Sequence, residues 1–206
     1  MFKRYLTGFF LFFILLVSES MAADVNVAPL GTASQSSTRP GGDASKAIDR
    51  DTNGAWNHGS IAHTKKDTKY EWWLLDLGSV QTINTIKIFP RTDGDLEKRI
   101  ANVYIMVSDT PFSPDTNPTA FNTVKSLADW KMQVTANPSD NPISFNVGGV
   151  QGRYILVQKD GHPPAGTRRK PWLYYPLNIA ELEVYVPSNQ PPTNIILSNK
   201  NICIFK

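Results

Sequence analysis

The sequence predicts an all-β protein, an antiparallel β-sandwich. Apolar and polar residues alternate with a period of two in several short segments, for example at residues 86–88 and 143–147, which is typical of strands that bury one face. Turn residues separate these segments at short intervals, and only residues 44–48 hint at a helix. Many short strands without intervening helices favour two packed antiparallel sheets.

The first 22 residues predict a secretory signal peptide. A basic start at Lys3 and Arg4 precedes an apolar run over residues 5–17, and the small residue Ala22 suits cleavage after it. The run is shorter than the roughly 20 residues that a membrane-spanning helix needs. We therefore expect an exported protein, secreted or held at the cell surface, and we do not expect it to span a membrane.

The strands follow within a domain that we expect over residues 25–186. Strongly apolar segments predict central strands at residues 72–77 and 154–157, and alternating segments predict half-buried strands at residues 86–88, 103–107 and 143–147. Trp72 and Trp73 open the first central strand, and we interpret both as core residues because aromatic side chains dominate core burial.

Charge and cysteine content exclude some classes of protein. The formal net charge is +3, and part of it belongs to the predicted signal peptide, so a near-neutral domain has no general attraction to nucleic acid. The one cysteine, Cys203, lies close to the C-terminus and cannot form an internal disulfide. A domain of ~160 residues can bury about 68–70% of its unfolded surface, which is enough to stabilise the fold without a disulfide.

The sequence contains no recognisable catalytic motif. Nucleophilic catalysis needs a Ser or Cys beside a base, and no Gly-x-Ser-x-Gly turn is present. The three histidines do not form a helical His-Glu-x-x-His zinc motif. Asp93 and Asp95 could form a glycosidase pair, but they stand beside Arg91, which favours structural ion pairing. We therefore predict a binding protein that is not an enzyme.

A polar loop over residues 46–60 is a candidate metal site. Asp49, Asp51, Asn53 and Ser60 place hard oxygen ligands on one short stretch, which is the chemistry that calcium prefers. Turns rich in Asp, Asn and Gly also occur in loops that bind nothing. Composition alone favours an ordinary loop over a metal site.

Several short motifs occur in one order along the domain. They are an Asn-x-Ala-x-x-Gly opening at residues 26–37, Ala-Ile-Asp at 47–49, Gly-Ser-x-x-His-Thr at 59–64, Trp-Trp-x-x-Asp-Leu-Gly at 72–78, Arg-x-Asp at 91–93, Arg-Ile-Ala-Asn at 99–102, Gly-Arg-Tyr at 152–154 and a closing strand at 177–185. In this order they resemble the F-type lectins, a fucose-binding branch of the discoidin-like domains. The resemblance implies a jelly-roll sandwich of the discoidin-like, galactose-binding-like type.

The resemblance also implies a calcium ion. Its ligands would be the carbonyl of Lys46 together with Asp49, Asp51, Ser60 and Glu181. Glu181 belongs to the last predicted strand, so the metal would tie the two ends of the domain together and stabilise it by mass action.

The same resemblance assigns a sugar site to His63, Arg91 and Arg99. Sugar hydroxyls are closely spaced donors and acceptors, so a site that recognises them needs fixed guanidinium donors and a ring nitrogen that can accept. We expect a calcium-dependent lectin that binds terminal fucose or a similar sugar on a glycan. Linking weak sites raises avidity by ~10²–10⁴, and whether the domain forms a homo-oligomer is left open.

Two features depart from the lectin pattern. Gly94 and Asp95 stand where the lectins have adjacent cysteines, whose disulfide forms an apolar surface near the sugar. One extra residue precedes the next strand, so Lys98 or Arg99 is the second basic ligand. We choose Arg99, because it opens the matching strand motif and because a planar guanidinium suits paired hydroxyls better than an ammonium.

A long connection over residues 159–176 supports a rival function. It holds Arg168, Arg169, Lys170 and Trp172 and is longer than the usual loop of ~4–6 residues. Exposed aromatic and basic residues of this kind suit a discoidin-like adhesion domain that binds a phospholipid surface or a protein partner. An insertion folded onto the sandwich is an equally good interpretation of this segment.

The composition changes after the last predicted strand. Residues 187–206 begin as a proline-rich linker and continue as what resembles the first strand of a cadherin-like repeat, which then stops. We interpret this end either as part of a longer adhesin or as an ordinary frayed tail. One strand alone cannot bury a core, so we expect disorder here.

Overall fold

A computed structural model describes residues 23–134, 140–162 and 175–188. Within these ranges antiparallel strands make up most of the fold, namely β1 (Asp24–Asn26), β2 (Thr32–Gln35), β3 (Ala62–His63), β4 (Trp72–Pro90), β5 (Val103–Ser108), β6 (Trp130–Val134), β7 (Ile143–Lys159) and β8 (Asn178–Pro187). The predicted signal peptide, most of the long basic loop and residues 189–206 lie outside the described residues.

Two long strands, β4 and β7, belong to both layers of the sandwich. The first part of β4 pairs with β2 and with the end of β7, which in turn pairs with β5. The last part of β4 pairs with β8 and with the start of β7. The register shifts between Asp76 and Gln81, where Gly78 has a φ of +80° that favours glycine. The predicted antiparallel sandwich is confirmed, and several predicted short strands are parts of these two.

The core lies between the two layers and follows the predicted alternation. Ile86 and Ile88 of β4, Ile105 of β5 and Leu182 of β8 are all fully buried in one cluster. Trp73 joins this cluster and is 1% exposed, so its interpretation as a core residue is confirmed. Trp72 points to the other side of the strand, where it is half-buried against a second, smaller cluster.

That second cluster exists because a helix covers the outside of β5. The helix, α1 (Pro118–Leu127), begins at Asn117, whose side chain accepts the Ala120 N–H at 2.9 Å. Its Val124 packs with Met106 of β5 and with Leu156 of β7. The sequence-based expectation of a fold with almost no helix was wrong here, and Met106 is buried where a half-buried strand would expose it. The helical hint at residues 44–48 is a 3-10 helix, Ala44–Ile48.

No helix in the described parts of the chain is both long enough and apolar enough to cross a bilayer.

Candidate functional site

The short strand β3 places His63 inside the protein. His63 pairs with Asn178 of β8 and is 2% exposed. Its other side faces a tight turn, where the His63 N–H donates to the Gly42 carbonyl at 2.9 Å and the Arg39 N–H donates to the His63 carbonyl at 3.0 Å. A Cβ added to Gly42 would lie 2.6 Å from the Cβ of His63, so only glycine allows this close approach.

The imidazole of His63 is a neutral ring with one nitrogen presented as an acceptor. Nδ1 lies 2.5 Å from the Thr64 carbonyl oxygen, and because a carbonyl only accepts, Nδ1 carries the proton. Nε2 therefore accepts, and it lies 3.1 Å from Nη1 of Arg99 and 3.4 Å from Nη1 of Arg39. The pKa of His63 is lowered to about 4, chiefly by burial and also by the neighbouring arginines.

Arg99 reaches His63 from the end of a 3-10 helix, Leu96–Ile100. It is 7% exposed, and its Nη1 also donates to Oδ1 of Asn178 at 2.8 Å. Lys98, the other candidate, is half-buried, and its carbonyl accepts the Ala101 N–H. The structure therefore brings Arg99 to the histidine.

Arg91 lies just after β4 and is held by Asp93. Nε of Arg91 donates to Oδ1 of Asp93 at 2.8 Å, and Nη2 donates to Oδ2 at 2.6 Å. These hydrogen bonds are the main reason that the pKa of Asp93 falls to about 2. The predicted ion pair at Arg91 is present with Asp93, whereas Asp95 is exposed in a left-handed turn and forms no ion pair within the described residues.

Trp56 joins the three predicted residues into one cluster. Its ring lies edge-on to His63, with centroids 5.1 Å apart. The guanidinium of Arg91 lies 5.3 Å from the indole centroid and that of Arg39 lies 4.8 Å from it, both within cation–π range. The backbone N–H of Trp56 also donates to Oδ1 of Asp93. Trp56 therefore orders the charged side chains around it.

Three residues of this cluster were missed by sequence reasoning. Arg39 comes from a turn of Pro and Gly residues, Asn178 from the start of β8, and Lys159 from the end of β7. Lys159 is buried, and its Nζ donates to the Arg99 carbonyl at 2.6 Å, while burial lowers its pKa to about 7. A Lys, an Asn and an Arg at strand ends and turns carry no distinguishing signal. Only the fold brings them together.

The polar loop that suggested calcium is ordered by its own side chains. Asp49 accepts the Asp51 N–H at 2.9 Å, Asp51 accepts the Asn53 N–H at 3.0 Å, and Asn53 accepts the Ala55 N–H at 3.0 Å. These are successive Asx turns, which account for the alternation of polar residues. The other oxygen of Asp51 lies 2.7 Å from Nε2 of His58, so Asp51 is directed away from the remaining proposed ligands.

Asp49, Ser60 and Glu181 do come together beneath this loop. Ser60 Oγ donates to Oδ2 of Asp49 at 2.6 Å, and the Arg50 N–H donates to Oε1 of Glu181 at 3.2 Å. Oε2 of Glu181 is buried and has no hydrogen-bond partner among the residues that the structure describes. Burial raises the pKa of Glu181 to about 8, and the charge of Asp49 acts in the same direction. Lys46 is adjacent, with its ammonium group on the Gly59 carbonyl.

This arrangement can take a hard cation, although its acidic ligands are few. Within residues 23–134, 140–162 and 175–188, no three His, Cys, Asp or Glu side chains form a group that could hold a metal. Calcium also accepts hydroxyl and carbonyl oxygens, which Ser60 and the loop backbone offer. A cation would satisfy the unpartnered oxygen of Glu181 and remove its repulsion from Asp49, so these residues fit calcium.

An open cavity of about 470 Å³ lies on one side of His63. Its charged lining residues are Arg39, Lys65, Lys66, Asp67 and Arg99. The volume falls in the range of ligand pockets, ~300–1,000 Å³. The basic residues Arg168, Arg169 and Lys170 and the aromatic Trp172, which supported a lipid- or partner-binding function, lie outside the described residues.

Comparison with known proteins relates the chain to one family. The F5/8 type C domain model matches residues 32–170. Fucolectin-3 of Anguilla japonica is 38% identical over 97 residues, which is 40% of this chain and 53% of that protein. Fucolectin-1 of the same species is 32% identical over 159 residues, which is 71% of this chain and 83% of that protein.

Solved structures agree with this relationship. A fucose binding module of Streptococcus pneumoniae has 28% sequence identity and a TM-score of 0.61, and the similarity covers 79% of this chain and 96% of that one. The family match spans more than half of the chain and includes the cluster around His63. The chain therefore belongs to the F5/8 type C, or discoidin-like, domain family and has fucolectins among its relatives.

Proposed function

We propose that this domain is a lectin that binds a terminal fucose or a similar sugar through His63, Arg91 and Arg99. The observation that carries the proposal is the neutral imidazole of His63, whose accepting nitrogen lies 3.1 Å from a guanidinium donor. Relatives named fucolectin and a fucose binding module support the choice of sugar.

This geometry suits a sugar hydroxyl, which donates one hydrogen bond and accepts others. A hydroxyl that displaces the Arg99 N–H from His63 would donate to Nε2 and accept from the guanidinium. Arg91 offers further donors, because Asp93 takes only its Nε and Nη2 groups and Nη1 has no hydrogen-bond partner in the described part of the chain. Both arginines are already fixed in place, so little side-chain freedom is lost on binding.

The same geometry favours binding over glycoside cleavage. A glycosidase needs one carboxyl group with a raised pKa that can donate a proton. Asp93 is the carboxylate next to the cluster, and the two hydrogen bonds from Arg91 hold its pKa near 2. It stays ionised and structural at neutral pH.

Titration calorimetry of the domain with free L-fucose tests the proposal. We expect saturable binding to one site, and much weaker binding of D-mannose, whose hydroxyls are arranged differently. A chain that binds no fucose, in the presence of calcium and with a normal melting transition, would disprove the proposed function.

The pH dependence of binding should report on His63. We expect the affinity for fucose to stay constant from about pH 6 to pH 5 and to fall as the pH approaches 4, where His63 gains a proton, loses its accepting nitrogen and becomes a cation beside Arg99. Asp93 stays ionised over this range because its pKa is about 2. Calorimetry at constant calcium, with His63→Gln as the variant that cannot titrate, measures this.

Stability should change in the same window with a definite sign. The folded-state pKa of His63, about 4, lies below the ordinary value of 6.5. The unfolded chain therefore binds the proton more readily, and the contribution of neutral His63 to the free energy of unfolding is fully present above pH 6.5 and is lost as the pH falls toward 4.

For the binding experiment, a fucose affinity that is constant down to pH 4 would show that the ring nitrogen does not contact the sugar.

Lys159 should support the site from beneath. Its ammonium donates to the Arg99 carbonyl, so we expect Lys159→Met to remove this buried hydrogen bond, at a cost of about 1–3 kcal/mol in stability, and to weaken fucose binding several-fold. In an Arg99→Ala background the same change should have little further effect on affinity, because the residue it positions is gone. Additive losses of affinity in the double variant would contradict the positioning role.

The proposed function includes a calcium ion bound beneath the loop over residues 46–60. Asp49, Ser60 and Glu181 would hold the ion. The Lys46 carbonyl would add a backbone oxygen, and Asp51 would become a ligand by releasing His58. A bound ion would supply positive charge at Oε2 of Glu181, which has no hydrogen-bond partner among the described residues. It would also fix the loop that carries Trp56 toward His63.

We further propose that the protein is exported, as its first 22 residues predict, and acts at a cell surface or outside the cell.

A further inference from the structure

The cavity beside His63 carries more positive charge than a neutral sugar requires. Among the described residues, four cationic side chains line it, those of Arg39, Lys65, Lys66 and Arg99, against the single carboxylate of Asp67. Grooves lined by one sign of charge concentrate the electrostatic potential and attract the opposite charge. An excess of this kind indicates an anionic ligand group.

Much of this positive charge is not neutralised by the protein. Among the described residues, neither Lys65 nor Lys66 forms an ion pair, and both are exposed. The guanidinium of Arg39 contacts the imidazole of His63 and the face of Trp56, neither of which is an anion. These three residues can meet a negative group without breaking an existing ion pair.

We propose that this cavity is a subsite for an anionic substituent, a sulfate ester or a carboxylate, on another sugar of the fucosylated glycan. The inference rests on the proposed function, because a fucose held by His63 and Arg99 would bring the other sugars of the same glycan to the cavity that both residues line. A cavity of about 470 Å³ suits a ligand larger than one monosaccharide.

The expected gain is moderate and depends on salt. Exposed ion pairs are individually weak, so two or three cations should strengthen binding roughly threefold to tenfold, which corresponds to about 0.6–1.4 kcal/mol. The Debye length falls from about 10 Å at 0.1 M salt to about 3 Å at 1 M. High salt should therefore remove most of the gain, while the hydrogen bonds to a neutral fucose remain.

The test compares three glycans on the whole chain in calcium. Calorimetry is carried out with the Lewis x trisaccharide, its galactose-sulfated form and its sialylated form, at ~0.1 M and ~1 M salt. We expect one or both acidic glycans to bind roughly threefold to tenfold more tightly than the neutral one at low salt, and about equally at high salt. The form that shows the gain identifies the anion as sulfate or carboxylate.

Substitutions in the cavity should change this gain in both directions. Lys65→Gln combined with Lys66→Gln should reduce binding of the acidic glycan to the level of the neutral one, without changing the affinity for free fucose. Asp67→Asn should increase the gain. Lys131→Gln is the matched control, because Lys131 is an exposed lysine on β6 that does not line the cavity.

The outcomes separate this inference from the proposed function. Equal affinities for acidic and neutral glycans, or a gain that survives the double lysine substitution, would overturn the anionic subsite while fucose binding stands. If neither free fucose nor any of the three glycans binds, both proposals fail together.

Discussion

Replacing Arg91 with alanine should lower the affinity for fucose roughly tenfold to a hundredfold. Removing one charged donor from such a site costs about 1.5–3 kcal/mol. Arg91 also holds Asp93 and lies 5.3 Å from the Trp56 centroid, so its loss frees both neighbours. Calorimetry of the variant beside the wild type measures the effect, and a parallel melting curve shows that the variant is folded.

Stability should fall only slightly in this variant. Arg91 is 7% exposed. Its partner Asp93, however, has a side chain that is 41% exposed. A partly solvated pair contributes about 0–1 kcal/mol, so the loss of affinity should exceed the loss of stability.

Two control variants make the Arg91 result interpretable. Asp93→Asn keeps the guanidinium but weakens its anchor, so we expect an intermediate loss of affinity. Lys98→Ala should bind fucose like the wild type, since the structure brings Arg99 and not Lys98 to His63. Equal affinities of Arg91→Ala and wild type would exclude Arg91 from the site, and a loss confined to Lys98→Ala would give the inserted lysine the role of Arg99.

Calcium should raise the melting temperature by roughly 5–11 °C. An ion present at ~100 times its dissociation constant stabilises the folded state by about 2.7 kcal/mol, and each kcal/mol corresponds to about 2–4 °C in a domain of this size. The physical reason is the buried, unpartnered Oε2 of Glu181 beside Asp49. Scanning calorimetry in calcium and in chelator measures the difference.

Glu181→Gln separates metal binding from simple loss of a core residue. Glutamine has the same shape without the buried charge, so this variant should melt at or above the wild-type temperature in chelator and should gain nothing from calcium. Glu183→Gln is the matched control, since Glu183 lies two residues along β8 from Glu181 and accepts a hydrogen bond from the Tyr185 hydroxyl. If the wild type melts at the same temperature in calcium and in chelator, the calcium site is absent.

The elements that sequence alone predicted are those set by local alternation. Ile86, Ile88 and Ile105 are buried as their spacing requires, and the core position of Trp73 followed from its apolar strand. The helix α1 was missed because its signal is short: Asn117 and Pro118 mark its start, and few apolar positions follow. Met106 could not be predicted as buried without that helix, because burial on its side of β5 depends on a distant segment.

The candidate site shows the same limit. Motif order pointed to His63, Arg91 and Arg99, and the fold brings His63 and Arg91 to Trp56 and brings Arg99 to His63. Lys159 stood in a segment that the sequence assigned to a loop, yet it ends β7 and is buried against the Arg99 carbonyl. The alternation of Asp49, Asp51 and Asn53 was consistent with a calcium site and with an ordinary polar loop. The structure shows that these side chains form successive Asx turns.

The position of β8 determines when this domain can fold. It lies between β1 and β4, with Asp24 opposite Pro187, and it supplies the Asn178 that pairs with β3. During synthesis, β4 can pair with β7 once residue 159 has emerged, but the second layer cannot close until residue 187 is free. Contacts between such distant residues slow folding. The cluster around His63 is therefore completed only after β8 has been made, because Asn178 of β8 pairs with His63 and accepts from Arg99.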